Sequence, residues 1–215
     1  MKSEEYVVLR KDNGILHLGI NRPLKKNALT SSMYTTMANA LKDSVSDESI
    51  KVVLIYGTED AFSAGNDLND FDNRDVNQPS PASALLYELH HYPKPIVAAV
   101  SGVAIGIGVT MLLHFDLVYA SETYFKMPFV DLGVCPEGGS SLLIPQLAGH
   151  RKAAELLMLG AAFDTAAAIN IGIVNQQIDK SEVFDFALSK AKALALKPQH
   201  ALRTTKRLLK ASQQT

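Results

Sequence analysis

The chain has 215 residues, 47% hydrophobic and 20% charged, with a formal net charge of -1. That length allows one sizeable core but not two full domains, and near-neutrality excludes nucleic acid or an anionic membrane as the main partner. The one cysteine, Cys135, excludes an internal disulfide and fits a reducing compartment.

The start, Met1-Lys2-Ser3-Glu4-Glu5, is charged and lacks a following apolar signal core. Tyr6 to Arg10 and Ile15 to Ile20 read as strands joined by the hairpin signal Asn13-Gly14. Thr30 caps a helix on which Met33, Met37, Leu41 and Val45 recur at helical spacing. Val52 to Tyr56 is an apolar strand closed by Gly57. Phe71 to Ala82 is polar and reads as a mobile surface loop, and Ala84 to His91 as a short helix. Pro95 to Val100 and Leu117 to Ala120 are apolar on both faces, as buried strands are, with a helix opening between them at Gly106 to His114.

Further on, Leu142 to Leu147, Lys152 to Leu159 and Thr165 to Asn170 read as helices, and Ile173 to Ile178 as a strand. Glu182 to Leu196 is a strongly amphipathic helix, and Pro198 starts a last helix reaching Lys210. No apolar run reaches a membrane span, and Gln213-Gln214-Thr215 is not a peroxisomal address, so the chain reads as a cytoplasmic protein. Alternating strands and helices give the α/β class, with a core domain over 1–196 and a helical segment over 197–215.

Three segments can carry chemistry. In Ala61-Phe62-Ser63-Ala64-Gly65-Asn66-Asp67-Leu68, Gly65 permits a turn that leaves the N–H of Asn66 facing a cleft, although an ordinary strand-to-loop connection reads the same. Ser101-Gly102-Val103-Ala104-Ile105-Gly106-Ile107-Gly108 follows a strand and opens a helix, which favours an oxyanion near Ile107. Close helix-strand packing is the plainer explanation. A dinucleotide loop fits poorly, because Met111 stands at the third glycine place. Glu137 lies in Cys135-Pro136-Glu137-Gly138-Gly139, where little can solvate a charge. A dry cleft would raise its pKa and suit a base that must return its proton; a solvated loop acid is the alternative. The histidines show no metal-ligand spacing. Cys135 reads as a small buried filler rather than a nucleophile, and Lys206, Arg207 and Lys210 as a solvated basic face.

Taken together, Asn21-Arg22-Pro23, Asn27-Ala28-Leu29, Phe62 to Leu68, Lys94-Pro95 to Gly108, Phe129 to Gly139 and Gly172-Ile173-Val174 resemble the crotonase superfamily, the enoyl-CoA hydratase/isomerase family. The resemblance implies a spiral of ββα units with a helical C-terminal segment that builds a homotrimer or a dimer of trimers. It implies a coenzyme A thioester as substrate, with no separate cofactor and no metal. The oxyanion donors would be the N–H groups of Asn66 and Ile107. The Ala64 carbonyl would meet the adenine, Lys25 the phosphates, and Gly65, Asp67, Leu68, Phe129 and Leu132 would border the substrate. Family members usually continue beyond the helix that ends near Lys210, so this segment reads as shortened.

Hydratases of the family carry two glutamates, and this chain has Thr110 and Phe129 in their places. Glu137 matches instead the single catalytic glutamate of the delta-3,delta-2-enoyl-CoA isomerases, most closely the peroxisomal type. The alternatives are a non-catalytic acyl-CoA-binding module and another reaction of the superfamily, such as hydration or thioester hydrolysis.

Overall fold

The computed structural model describes residues 6–72 and 80–211. The chain ends, and residues 73–79 of the expected loop, lie outside the described residues. β1 (Val7–Asp12) and β2 (Ile15–Ile20) form an antiparallel hairpin. Asn13 and Gly14 both take positive φ, as a two-residue hairpin turn demands. β3 (Val52–Tyr56), β4 (Ile96–Ile105), β5 (Leu117–Lys126) and the short β6 (Gln176–Gln177) then add in sequence order, each parallel to the strand before it.

Helices α1 (Ser31–Ser46), α2 (Leu68–Asp72) and α3 (Pro81–His91) occupy the crossovers as far as β4. α4 (Ile107–Thr110) and a 3-10 turn join β4 to β5. α5 (Ser140–Ala148), α6 (His150–Met158) and α7 (Thr165–Asn170) fill the way to β6, and α8 (Val183–Ala195) and α9 (Gln199–Ala211) follow. The sheet is apolar on both faces because its strands alternate between two cores. Val53, Ile55, Ala98 and Val100 face α1 and α3 with Met33, Met37, Leu41 and Leu85. Val52, Leu54, Val97 and Ala99 face the small-residue stripe Val183, Ala187, Ala191 and Ala195 of α8.

β4 and β5 run well past the expected Val100 and Ala120. The register shifts between Val100 and Gly102, and the pairing resumes from Gly102 opposite Thr123 to Ile105 opposite Lys126. Only glycine fits the bend: Gly102 has φ +71°, and a Cβ there would stand 2.0 Å from the Asp60 carbonyl oxygen. Ser101 to Ile105, read as the approach to a helix, is therefore strand, and the helix expected over Gly106 to His114 appears as the four-residue α4 followed by the 3-10 turn Met111–His114. The expected strand Ile173 to Ile178 shrinks to two residues, because Asn175 turns its side chain to accept from the Val118 N–H at 2.7 Å.

At the end of the sheet where β4 and β5 begin, three lysines are drawn inward. Lys94 is wholly buried and donates to the Ser44 and Asp47 carbonyls at 2.6 and 2.8 Å, a cation on the C-terminal end of α1. Lys206 donates to the Lys94 carbonyl at 2.8 Å and to Asp116 Oδ2 at 2.7 Å, an oxygen that also accepts from the Ile96 N–H at 2.7 Å. Lys210 caps α3 through the His90 carbonyl at 2.9 Å. Burial first, then the neighbouring Lys206 charge, lowers its pKa to about 8. The expected solvated basic face is thus corrected for Lys206 and Lys210, while Arg207 remains exposed. These bonds tie α9 to the core.

Candidate active site

The loop from Ser63 to Asp67 is bonded on both sides. Ser63 N–H donates to the Val103 carbonyl at 3.1 Å, and Ile105 N–H to the Ser63 carbonyl at 2.9 Å, which sets the loop beside the extended end of β4. On its other side, Leu29 N–H donates to the Gly65 carbonyl at 2.8 Å and Asp67 N–H to the Leu29 carbonyl at 2.9 Å. Gly65 takes φ +92° with the Ile105 carbonyl oxygen 2.9 Å from where a Cβ would stand. The Gly65 carbonyl and the Asn66 N–H belong to one planar trans peptide, so they point opposite ways. With the carbonyl bound to Leu29, the N–H points away from Leu29, and Asn66 itself lines the cavity. Ile107 is the first residue of α4, whose N–H has no intrahelical partner. In so short a helix that group itself, rather than a helix dipole, is the electrostatic resource.

The blocks Asn21-Arg22-Pro23 and Asn27-Ala28-Leu29 are buttresses of this loop. Asn27 accepts from Arg22 N–H at 2.7 Å and donates to the Ala61 carbonyl at 2.6 Å. Arg22 pairs with Asp67 at 2.5 Å, and its guanidinium holds that carboxyl below the usual range. Asp67, expected to contact substrate, thus uses its carboxylate as scaffold. Lys25 lines a separate groove with Tyr6, Asn21 and Arg22, not the cavity around Glu137.

Glu137 is half-buried, and its carbonyl accepts from both N–H and Oγ of Ser140, at 3.0 and 2.6 Å. Next to it, buried His114 donates from Nε2 to the Gly138 carbonyl at 2.9 Å. Burial first, then Lys210, lowers the His114 pKa to about 4, so this imidazole is a neutral brace. The Glu137 carboxylate has far less help. Burial pushes its pKa up, and the Thr110 hydroxyl, donating at a long 3.4 Å, draws it back less.

Glu137, Asn66 and Ile107 line one cavity of about 420 Å³, with Ala64, Gly65, Leu68, Phe129 and Leu132 around them. Phe129 is buried, while Leu68 and Leu132 are exposed at the mouth; Cys135, expected as a buried filler, is instead exposed on the wall of the same cavity, because the loop before Glu137 is open to solvent. Glu137 and Asn66 also border a smaller, polar recess of about 100 Å³ with Ser31, Tyr34 and Asp70. Tyr34 was missed in the sequence, since it falls among the core positions of α1. Among the described residues no group of three or more His, Cys, Asp or Glu could hold a metal ion. The arrangement presents two main-chain donors and one poorly solvated acid to the same space, which suits proton transfer beside a carbonyl.

The sequence model described as Enoyl-CoA hydratase/isomerase matches residues 10–215. Enoyl-CoA delta isomerase 2 of Homo sapiens is 36% identical over 215 residues, covering 96% of this chain and 54% of that protein. The chain therefore spans about half the length of that relative. 1,2-epoxyphenylacetyl-CoA isomerase of Escherichia coli is 32% identical, with 97% of this chain and 83% of that protein covered. The structure of Pseudomonas aeruginosa OdaA superposes with a TM-score of 0.93 at 42% identity, over 97% of this chain and 86% of that one.

Proposed function

This chain belongs to the enoyl-CoA hydratase/isomerase family, and on that premise we propose that it moves the double bond of a 3-enoyl-CoA to the 2-position. In this reading the thioester oxygen sits between the N–H groups of Asn66 and Ile107. The Glu137 carboxylate takes a proton from C2; that electron pair forms a C1–C2 double bond as the carbonyl pair moves onto the thioester oxygen, giving a dienolate that keeps its C3–C4 double bond. The carboxylic acid so formed gives the proton to C4, and the electrons return to make the conjugated 2-enoyl-CoA. No proton is gained or lost overall, so one acid suffices.

The carrying observation is that Glu137 is the one acid among the described residues lining the larger cavity. Hydration needs a water to be activated and its proton delivered, and the resemblance assigns that work to two glutamates. Thr110, fully buried, and Phe129 stand there instead. Of the two effects invoked, one oxyanion donor is worth about 10²–10³ in rate and general acid-base help roughly 10²–10⁴.

Purified protein given 3-hexenoyl-CoA should produce the absorbance of a conjugated enoyl thioester, and crotonyl-CoA should stay unhydrated. Hydration of crotonyl-CoA with no isomerisation would replace this reading by a hydratase, and binding without turnover of either would favour an acyl-CoA-binding module. A homotrimer or a dimer of trimers belongs to the same proposal. Its support is the exposed pair Met158 and Leu159 at the end of α6, 68% and 72% accessible, and sedimentation of the full chain tests it. No helix among the described residues is long and apolar enough to cross a membrane.

A further inference from the structure

The main chain around the Asn66 N–H is held by Leu29, which donates to the Gly65 carbonyl and accepts from the Asp67 N–H. The Asn66 side chain adds a further handle on the same residue. Its Oδ1 accepts a hydrogen bond of 2.5 Å from the hydroxyl of Tyr34. Tyr34 is itself immobilised, with its residue 3% accessible and packed in the main core. Its hydroxyl reaches the recess where Asn66 and Glu137 meet. Burial, with the negative charges of Glu137 and Asp70 second, holds the phenol well above its ordinary pKa, so it remains a donor.

We propose that Tyr34 is a positioning residue: through the Asn66 side chain it aims the Asn66 N–H at the oxygen of the enolate. The proposal rests on the enoyl-CoA reading of the cavity but not on which product forms. Tyr34 needs no contact with substrate for this role. A donor that stays present but loses its aim should give up part of the 10²–10³ that its removal would cost.

The test uses the full chain with Tyr34→Phe, which keeps the buried ring, and Asn66→Ala, which keeps the main-chain N–H. With 3-hexenoyl-CoA, Tyr34→Phe should lower kcat by about tenfold with KM within about twofold, since the lost interaction matters in the transition state. The double variant should be no slower than the slower single variant, because both act through one bond. The second readout is acetoacetyl-CoA, whose acidic C2 lets it bind as an enolate. Both single variants should weaken its ultraviolet enolate band on the protein by more than they weaken butanoyl-CoA binding, because the neutral thioester oxygen depends less on the donor than the enolate does. Multiplicative losses in the double variant, or an undiminished enolate band in Tyr34→Phe, would overturn the proposal. If the native chain shows no isomerisation yet the enolate band behaves as expected, the isomerase reading fails and the role of Tyr34 stands.

Discussion

The two ends of the parallel strands treat buried charge in opposite ways. At the end where β4 and β5 begin, Lys94, Lys206, Lys210 and Asp116 are satisfied by carbonyls, a carboxylate and a main-chain N–H at 2.6 to 2.9 Å. At the end where β4 finishes, the Glu137 carboxylate has, among the described residues, one long bond, from Thr110. A charge taken from water costs several kcal/mol unless its partners replace the water. The first end replaces it and gains a fixed frame. The second does not, and gains a group whose protonated and charged forms are closer in energy, as proton transfer requires. The same chain thus uses desolvation as cement in one place and as activation in the other.

Four substitutions bear on this contrast. Glu137→Gln should cut isomerisation by about 10²–10⁴ and leave the affinity for butanoyl-CoA essentially unchanged; near-native turnover would remove the acid from its role. The same variant should melt at a higher temperature at neutral pH. The fold raises this carboxyl's pKa, so the folded state binds the proton more tightly than the unfolded chain. The stabilisation is then present at acid pH and lost as pH rises through the folded value. For the same reason the acid limb of kcat/KM should lie above the ordinary carboxylate range.

Lys206→Met should behave inversely, costing about 3–5 kcal/mol of stability by leaving Asp116 uncompensated, with kcat per folded molecule unchanged in a parallel denaturation and rate measurement. Lys94→Met should cost less, about 1.5–3 kcal/mol, for the charged bonds to the end of α1. A denaturation midpoint like the native one would show that these lysines are ornaments of that end of the sheet rather than its frame. The smallest effect is expected at Ile107→Val, about 0.5–1.5 kcal/mol in stability. Its turnover should barely change, because the donor there is main chain; a collapse in rate would mean that the side chain itself shapes the reaction.

How much of this was legible depended on how locally each feature is encoded. The hairpin at Asn13-Gly14, α1 and α8 are written in turn chemistry and in 3.6-residue spacing, and they appear where the sequence puts them. The ends of β4 and β5 are not, because Ser101-Gly102 imitates a loop, while the strand continues through a bend that needs the Asp60 carbonyl nearby. Glu137, Asn66 and Ile107 were identifiable from apolar and glycine-rich surroundings together with the resemblance, and they line one cavity. Tyr34 was hidden by its spacing, which is that of a core residue. Lys206 was misread because its partner Asp116 lies 90 residues away, and periodicity sees only neighbours.

The double anchorage of the Glu137 carbonyl by Ser140 has one more consequence. The backbone root of this side chain stays still, so the traffic between two carbon atoms must be handled by its own torsions, with scant water to trade with. Deuterium taken from C2 of the substrate should therefore reappear in part at C4 of the product rather than wash out into the solvent.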